Sequence, residues 1–160
     1  MNHRTLVLLL TSLTSAVSPT KYAPAADATN LVVPFELNSQ FGSILIQAQV
    51  NGRAGLLLVD TGCSHTVLSP DILGVSPLSS PPASAPVKGS ALTGVAGWAK
   101  ATIEIGTMRW PDRRVLVTDG FREISKSMRE KVDGLIGEDL LKEFRLVVID
   151  FRNRRLIFDR

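Results

Sequence analysis

Residues 44–50 place apolar side chains at Ile44, Ile46, Ala48 and Val50, alternating with more polar neighbours, the period of a strand with one buried face. Asn51-Gly52 follows, a pair suited to a tight hairpin turn. The chain then returns through Leu56-Leu57-Leu58-Val59, apolar on both faces, which implies a place at the centre of the domain. That run ends on Asp60, and a second β-prone stretch, Thr66-Val67-Leu68, begins soon after. "SPDIL" predicts a single helical turn, with Ser69 as N-cap and Pro70 at the first helical position. Residues 76–86 are Pro- and Ser-rich and read as a loop.

Extended structure resumes at residues 87–106, interrupted by Gly89, Gly94 and Gly97, and "MRWPDRRVLVTDG" predicts a strand pair broken at Pro111-Asp112. "REISKSMREKV" carries helix formers but only a weak apolar stripe, which does not decide between helix and loop. "GLIG" reads as a short buried strand and "EDLLKEF" as a helix with Leu140, Leu141 and Phe144 on one side. "RLVVIDFRNRRLIFD" reads as a closing hairpin, with Arg152-Asn153-Arg154-Arg155 as its solvated turn. Many short strands with one late helix predict an all-β, barrel-like domain. "VNGRAGLLLVDTG" and "IGTMRWPDRRVLVTDG" echo each other loosely: both set a Gly-containing turn before an apolar strand that ends at an Asp-bearing corner.

The first 28 residues change this picture. "MNHR" is a positive start, "TLVLLLTSLTSAV" an apolar core too short for a bilayer span, and small residues follow. Residues 1–28 are therefore expected to be a cleavable signal peptide and leader, and 29–160 a single domain. The mature protein would then be exported, periplasmic or secreted, with no stable membrane span. A 44% hydrophobic and 21% charged composition argues against disorder. The +3 charge is scattered, and 6% aromatics supply no stacking platform, so nucleic acid is not an expected partner. The single cysteine, Cys63, excludes an internal disulfide. With His3 in the leader, His65 is the one histidine left, so no metal or cofactor is expected.

"LLLVDTGCSHTVLS" and "DGLIGEDLLKEF", about seventy-five residues apart, together resemble the retropepsin-like aspartic proteases over residues 32–160. They are most similar to the small single-domain bacterial members that carry a signal peptide. The resemblance implies a closed acid-protease barrel of short strands with a flap hairpin and one short C-terminal helix. It implies that Asp60 is the catalytic carboxylate, with Thr61 and Gly62 completing the active-site corner. Thr61 would hydrogen-bond across to its counterpart, and Leu135, Ile136 and Gly137 would pass behind the corner as the supporting psi-loop. Residues 89–99 stand where the family has its flap, with Gly94 and Gly97 as candidate hinge or tip residues and Trp98 as a groove or barrel residue.

Because the chain holds one Asp-Thr-Gly, the resemblance implies a homodimer in which two Asp60 residues meet and share a proton to hydrolyse polypeptide substrates. Asp119 and Asp133 are read as turn residues. Cys63 stands where the family often has Ala or Ser, as a small hydrophobe or a redox-sensitive thiol. Ser64 and Glu138 occupy the positions of an Asp–Arg ion pair in viral relatives, so that pair is absent here. His65 is read as a surface residue near the groove entrance. Two other readings stand beside the endopeptidase: an inactive peptide-binding module of the same fold, and a secreted β-barrel in which Asp60 is a buried structural residue.

Overall fold

This computed structural model describes residues 6–9, 30–74 and 95–160. The chain enters through β1 (Leu6–Leu9), β2 (Leu31–Pro34) and β3 (Glu36–Leu37). β4 (Ile44–Val50) and β5 (Arg53–Val59) form the first long hairpin, followed by β6 (Val67–Leu68) and α1 (Pro70–Leu73). β7 (Val95–Ile105) and β8 (Met108–Thr118) form the second, followed by α2 (Phe121–Met128), β9 (Gly134–Ile136) and α3 (Glu138–Leu141). β10 (Leu146–Asp150) and β11 (Arg155–Asp159) close the chain.

Asn51 and Gly52 both take positive φ, 50° and 78°, which matches the right-handed twist of the strands they join and fixes the register at Val50 opposite Arg53. From that hairpin the pairing runs β4–β5–β9–β6–β8–β7 and returns to β4, so six strands close into a barrel. The barrel is twice the same unit. β5 pairs in parallel with β9 and β8 in parallel with β6, while β6 with β9 and β4 with β7 are antiparallel. Exchanging β4, β5 and β6 for β7, β8 and β9 leaves that list unchanged, and a four-residue helix follows each third strand. The loose sequence echo is therefore a structural repeat. A second sheet, β1–β10–β11–β2, packs beside the barrel.

Both faces of the central strands are covered, which is why their sequences are continuously apolar. Leu57, Val115 and Val117 point into the main core with Val50, Ile103 and Leu156, whereas Leu116 joins a second cluster with Leu45, Val67, Phe121, Met128 and Leu135.

The structure departs from the sequence reading in several places. Residues 108–118 are one strand, not a pair. Ala101 faces Arg113 while Ile103 faces Trp110, so Pro111-Asp112 is absorbed as a bulge, with Asp112 at φ 50°. A bulge tolerates the missing proline N–H, and buried Trp110 anchors the strand on the far side through its indole N–H to Glu143 Oε2 at 2.9 Å. Three helices form among the described residues: α1 and α3 where the sequence predicts a turn and a helix, and α2 where it leaves helix or loop open. α1 is capped as expected, Ser69 Oγ accepting from the Ile72 N–H, and α2 forms because Phe121 and Met128 both reach the second core. The flap expectation falls mostly on residues 75–94, and Gly94 lies outside the described residues. Leu6–Leu9 runs parallel to Leu146–Ile149 as an outer strand of the second sheet.

Candidate active site

Asp60 stands where β5 stops. Leu57, Leu58 and Val59 pair in parallel with Gly134, Leu135 and Ile136, and the Asp60 N–H still donates to the Ile136 carbonyl at 3.0 Å. The strand is thus held to its last residue before the chain turns away. In that turn the Gly62 N–H donates to Asp60 Oδ1 at 2.8 Å, and the Cys63 N–H reaches the Asp60 carbonyl at 3.4 Å. Asp60 is half-buried, whereas Thr61 and Gly62 are exposed. The corner is therefore oriented by its own backbone and open outward.

Behind the corner, Leu135 and Ile136 lie in β9 between β5 and β6. Gly137 follows, and a Cβ there would stand 2.5 Å from the His65 carbonyl carbon and oxygen and 2.8 Å from the Cys63 oxygen. No side chain fits against those backbone atoms. The close approach lets the Glu138 N–H donate to the Cys63 carbonyl at 2.7 Å. Thr66, fully buried, completes the seam: its hydroxyl donates to Asp139 Oδ1 at 2.8 Å and accepts from the Gly137 N–H at 3.3 Å. The same Asp139 oxygen accepts from the Leu140 N–H at 3.0 Å, within the first turn of α3. Nothing in the sequence marks Thr66 and Asp139 as partners; only the folded strand order brings them together.

The Cys63 side chain is fully buried, with its thiol directed at the His65 carbonyl at 3.2 Å. Burial pushes this thiol up from its usual 9.0, and the nearby Asp60 and Asp139 carboxylates push the same way. It behaves as a small hydrophobe rather than as a thiolate. His65 is not an isolated surface residue. Its Nδ1 shares a hydrogen bond with Ser64 Oγ at 2.8 Å, and its ring meets Trp98 edge-on at 5.3 Å. Trp98 sits in β7 opposite Leu116, one residue beyond Gly97, which occupies a register shift in the strand.

Asp133 is more than a turn residue. Buried, it accepts from the Leu56 N–H through Oδ2 at 3.1 Å, exchanges backbone bonds with Leu56 and Ser69, and pairs with Lys131 at 2.9 Å. It ties β5, β6 and the start of β9 together. Asp119 is exposed and precedes α2, its carbonyl accepting from the Arg122 N–H at 3.1 Å. Glu138 is exposed. Among the described residues, no three His, Cys, Asp or Glu side chains gather as a metal-binding group.

Such a corner presents one carboxylate with one backbone donor, and its chemistry is that of an acid or base acting on something that approaches from outside the subunit. Residues 46–140, which include both the corner and the strand behind it, match the family described as aspartyl protease. Among solved structures, a retropepsin-like aspartic protease from Rickettsia conorii shares the fold. Its TM-score is 0.53 at 21% identity, over 81% of this chain and 88% of that one. The retroviral protease-like domain of Ddi1 from Leishmania major matches at TM-score 0.44 and 16% identity, over 74% of this chain and 91% of that one. The EIAV protease complexed with the inhibitor HBY-793 matches at 0.39 and 19%, over 66% and 90%. No curated protein matches the chain.

Proposed function

We propose that this chain, which belongs to the aspartyl protease family, is an aspartic endopeptidase that cleaves polypeptides with two Asp60 carboxylates, one from each subunit of a homodimer. The observation that carries the reading is the corner itself: Asp60 is oriented by the Gly62 N–H and flanked by exposed Thr61 and Gly62. One Asp-Thr-Gly per chain means that a second copy must bring the partner group.

Two carboxylates held that close cannot both ionise, so they share one proton. The ionised Asp60 takes a proton from a water molecule as its oxygen attacks the scissile carbonyl carbon. The protonated Asp60 hydrogen-bonds the carbonyl oxygen and stabilises the charge that develops there. Collapse of the tetrahedral intermediate breaks the C–N bond, with a proton delivered to the leaving amine. Within this reading Thr61 links the two corners, and Gly97 and Trp98 belong to the strand that carries the flap. Residues 1–28 act as a signal and leader, the protein being of the small bacterial type that works outside the cytoplasm. No cofactor takes part.

The test is Asp60→Asn in the full chain, assayed on denatured proteins from acid to neutral pH, with circular dichroism and light scattering alongside. Lost cleavage, retained fold and a dimeric mass support the endopeptidase. A wild type inert at every pH supports a peptide-binding module instead, and a strictly monomeric mass overturns the shared dyad.

A further inference from the structure

We propose that a cavity beside the active-site corner, built around the Arg114–Trp98–His65 stack, is a subsite that takes an acidic side chain of the polypeptide substrate. The inference rests on the endopeptidase reading and adds to it a substrate preference that the Asp60 corner does not itself supply.

The cavity holds about 350 Å³, room for one or two side chains. His65 forms its inner wall and lies at the end of the loop that begins at Asp60. α3 forms the opposite wall, and that helix is tied to the same loop through Cys63 and Thr66. Trp98 and Arg114 come from neighbouring strands β7 and β8. Asp60, Thr61 and Gly62 do not line the cavity. His65, five residues along the same loop, links it to the corner, and on the endopeptidase reading the side chain entering here belongs to a peptide that also reaches Asp60.

Charge decides what it would be. Three basic side chains, Arg113, Arg114 and Lys142, and two acidic ones, Asp139 and Glu143, line the space. Glu143 is occupied by Arg113 and by the Trp110 indole. Asp139 is occupied by the Thr66 hydroxyl and the Leu140 N–H. Neither Arg114 nor Lys142 has an ion-pair partner among the described residues. Arg114 is exposed, yet its guanidinium lies 4.1 Å over the Trp98 ring, and the other contact of that ring is the His65 edge. The Trp98 contact sets the guanidinium beside the ring, and none of its N–H groups donates to a described residue, so the fork is free for a bidentate carboxylate. The lining carries one more positive than negative side chain, which matches a single carboxylate; the Asp139 charge opposes a dianion such as a phosphate.

The experiment separates binding from cleavage. Full-length Asp60→Asn protein is titrated by fluorescence anisotropy with an uncharged decapeptide in which Glu, Gln, Lys or phosphoserine is placed at each position in turn. At one position Glu is expected to bind about tenfold tighter than Gln, the scale of a charge-assisted contact. Arg114→Gln is expected to abolish that ratio, and Arg114→Glu to invert it in favour of Lys. Equal binding of Glu and Gln everywhere, a ratio that survives Arg114→Gln, or phosphoserine exceeding Glu overturns the subsite. Wild-type protein is assayed on the same peptides: the Glu preference without any cleavage overturns the endopeptidase and leaves the carboxylate site standing. Cleavage with no preference at any position overturns the site alone. Failure of every peptide both to bind and to be cut overturns both.

Discussion

The Thr66 hydroxyl donates to Asp139 Oδ1 at 2.8 Å across 73 residues of sequence. Through this one bond, with its return from the Gly137 N–H, the loop after Asp60 and the helix after β9 become a single piece. The position of the carboxylate thus depends on a residue six places away that never faces the site.

Thr66→Val keeps the shape of the side chain but leaves the buried Gly137 N–H without its acceptor and Asp139 with the Leu140 N–H alone. The expected cost is about 1–3 kcal/mol, read as a lower urea midpoint at unchanged slope. Cleavage is expected to weaken further than the stability loss alone predicts, because the corner loses its backing. Thr66→Ser is expected to restore most of both.

Gly137→Ala drives a methyl group to 2.5 Å from the His65 backbone, where no flexible side chain can give way. A loss of about 3 kcal/mol or more is expected, read as a fall in Tm or as loss of soluble protein. Gly52→Ala, where nothing stands within 4 Å, is expected to cost less, through its φ of 78° alone.

Shared catalysis has a signature in mixtures. Wild type and Asp60→Asn, unfolded together in equal amounts and refolded, are expected to keep about a quarter of the wild-type activity, because only like pairs of wild-type chains hold two ionisable carboxylates. About half is the result for independent monomers. Specific activity of wild type is also expected to fall on dilution.

Cys63 is expected to resist iodoacetamide at pH 8 in the folded protein and to react at once in denaturant, checked by mass spectrometry. The sign follows from its raised pKa. The fold prefers the protonated thiol, so that preference is fully present below 9.0, the ordinary thiol value, and is lost as pH rises through the higher folded value. Cys63→Ala is expected to flatten stability in alkali and to cost about 1 kcal/mol at neutral pH for the lost sulfur contacts.

Much of this was legible in the chain. Asn51-Gly52 turns as its φ requirement dictates, Ser69 caps α1, and the apolar strand running into Asp60 packs against a core on each side, with Leu57 fully buried and Leu56, Leu58 and Val59 partly so. What could not be read is what depends on distant strands. Pro111-Asp112 looks like a turn in isolation and becomes a bulge because Trp110 and Arg113 both stay paired with β7. Asp133, beside a glycine, looks like a corner and is instead a buried brace for Leu56. α2 carries just three apolar contacts, Phe121, Met128 and the partly buried Ile124 between them, a stripe too sparse to read until the second core is there to receive it. His65 and Trp98 are 33 positions apart and meet only once β8 separates them by a single strand.

The ring of six strands closes through only two residue pairs between β4 and β7, Gln49 with Glu104 and Val50 with Ile103, so the rest of β7 keeps an edge with no partner strand among the described residues. The outer sheet offers further edges for main-chain pairing at its flanks, Leu6–Leu9 and Leu31–Pro34. Were the amino-terminal segment trimmed away, Leu146–Asp150 would inherit the vacant flank. Maturation of the chain and recruitment of a neighbour would then be two consequences of one cut.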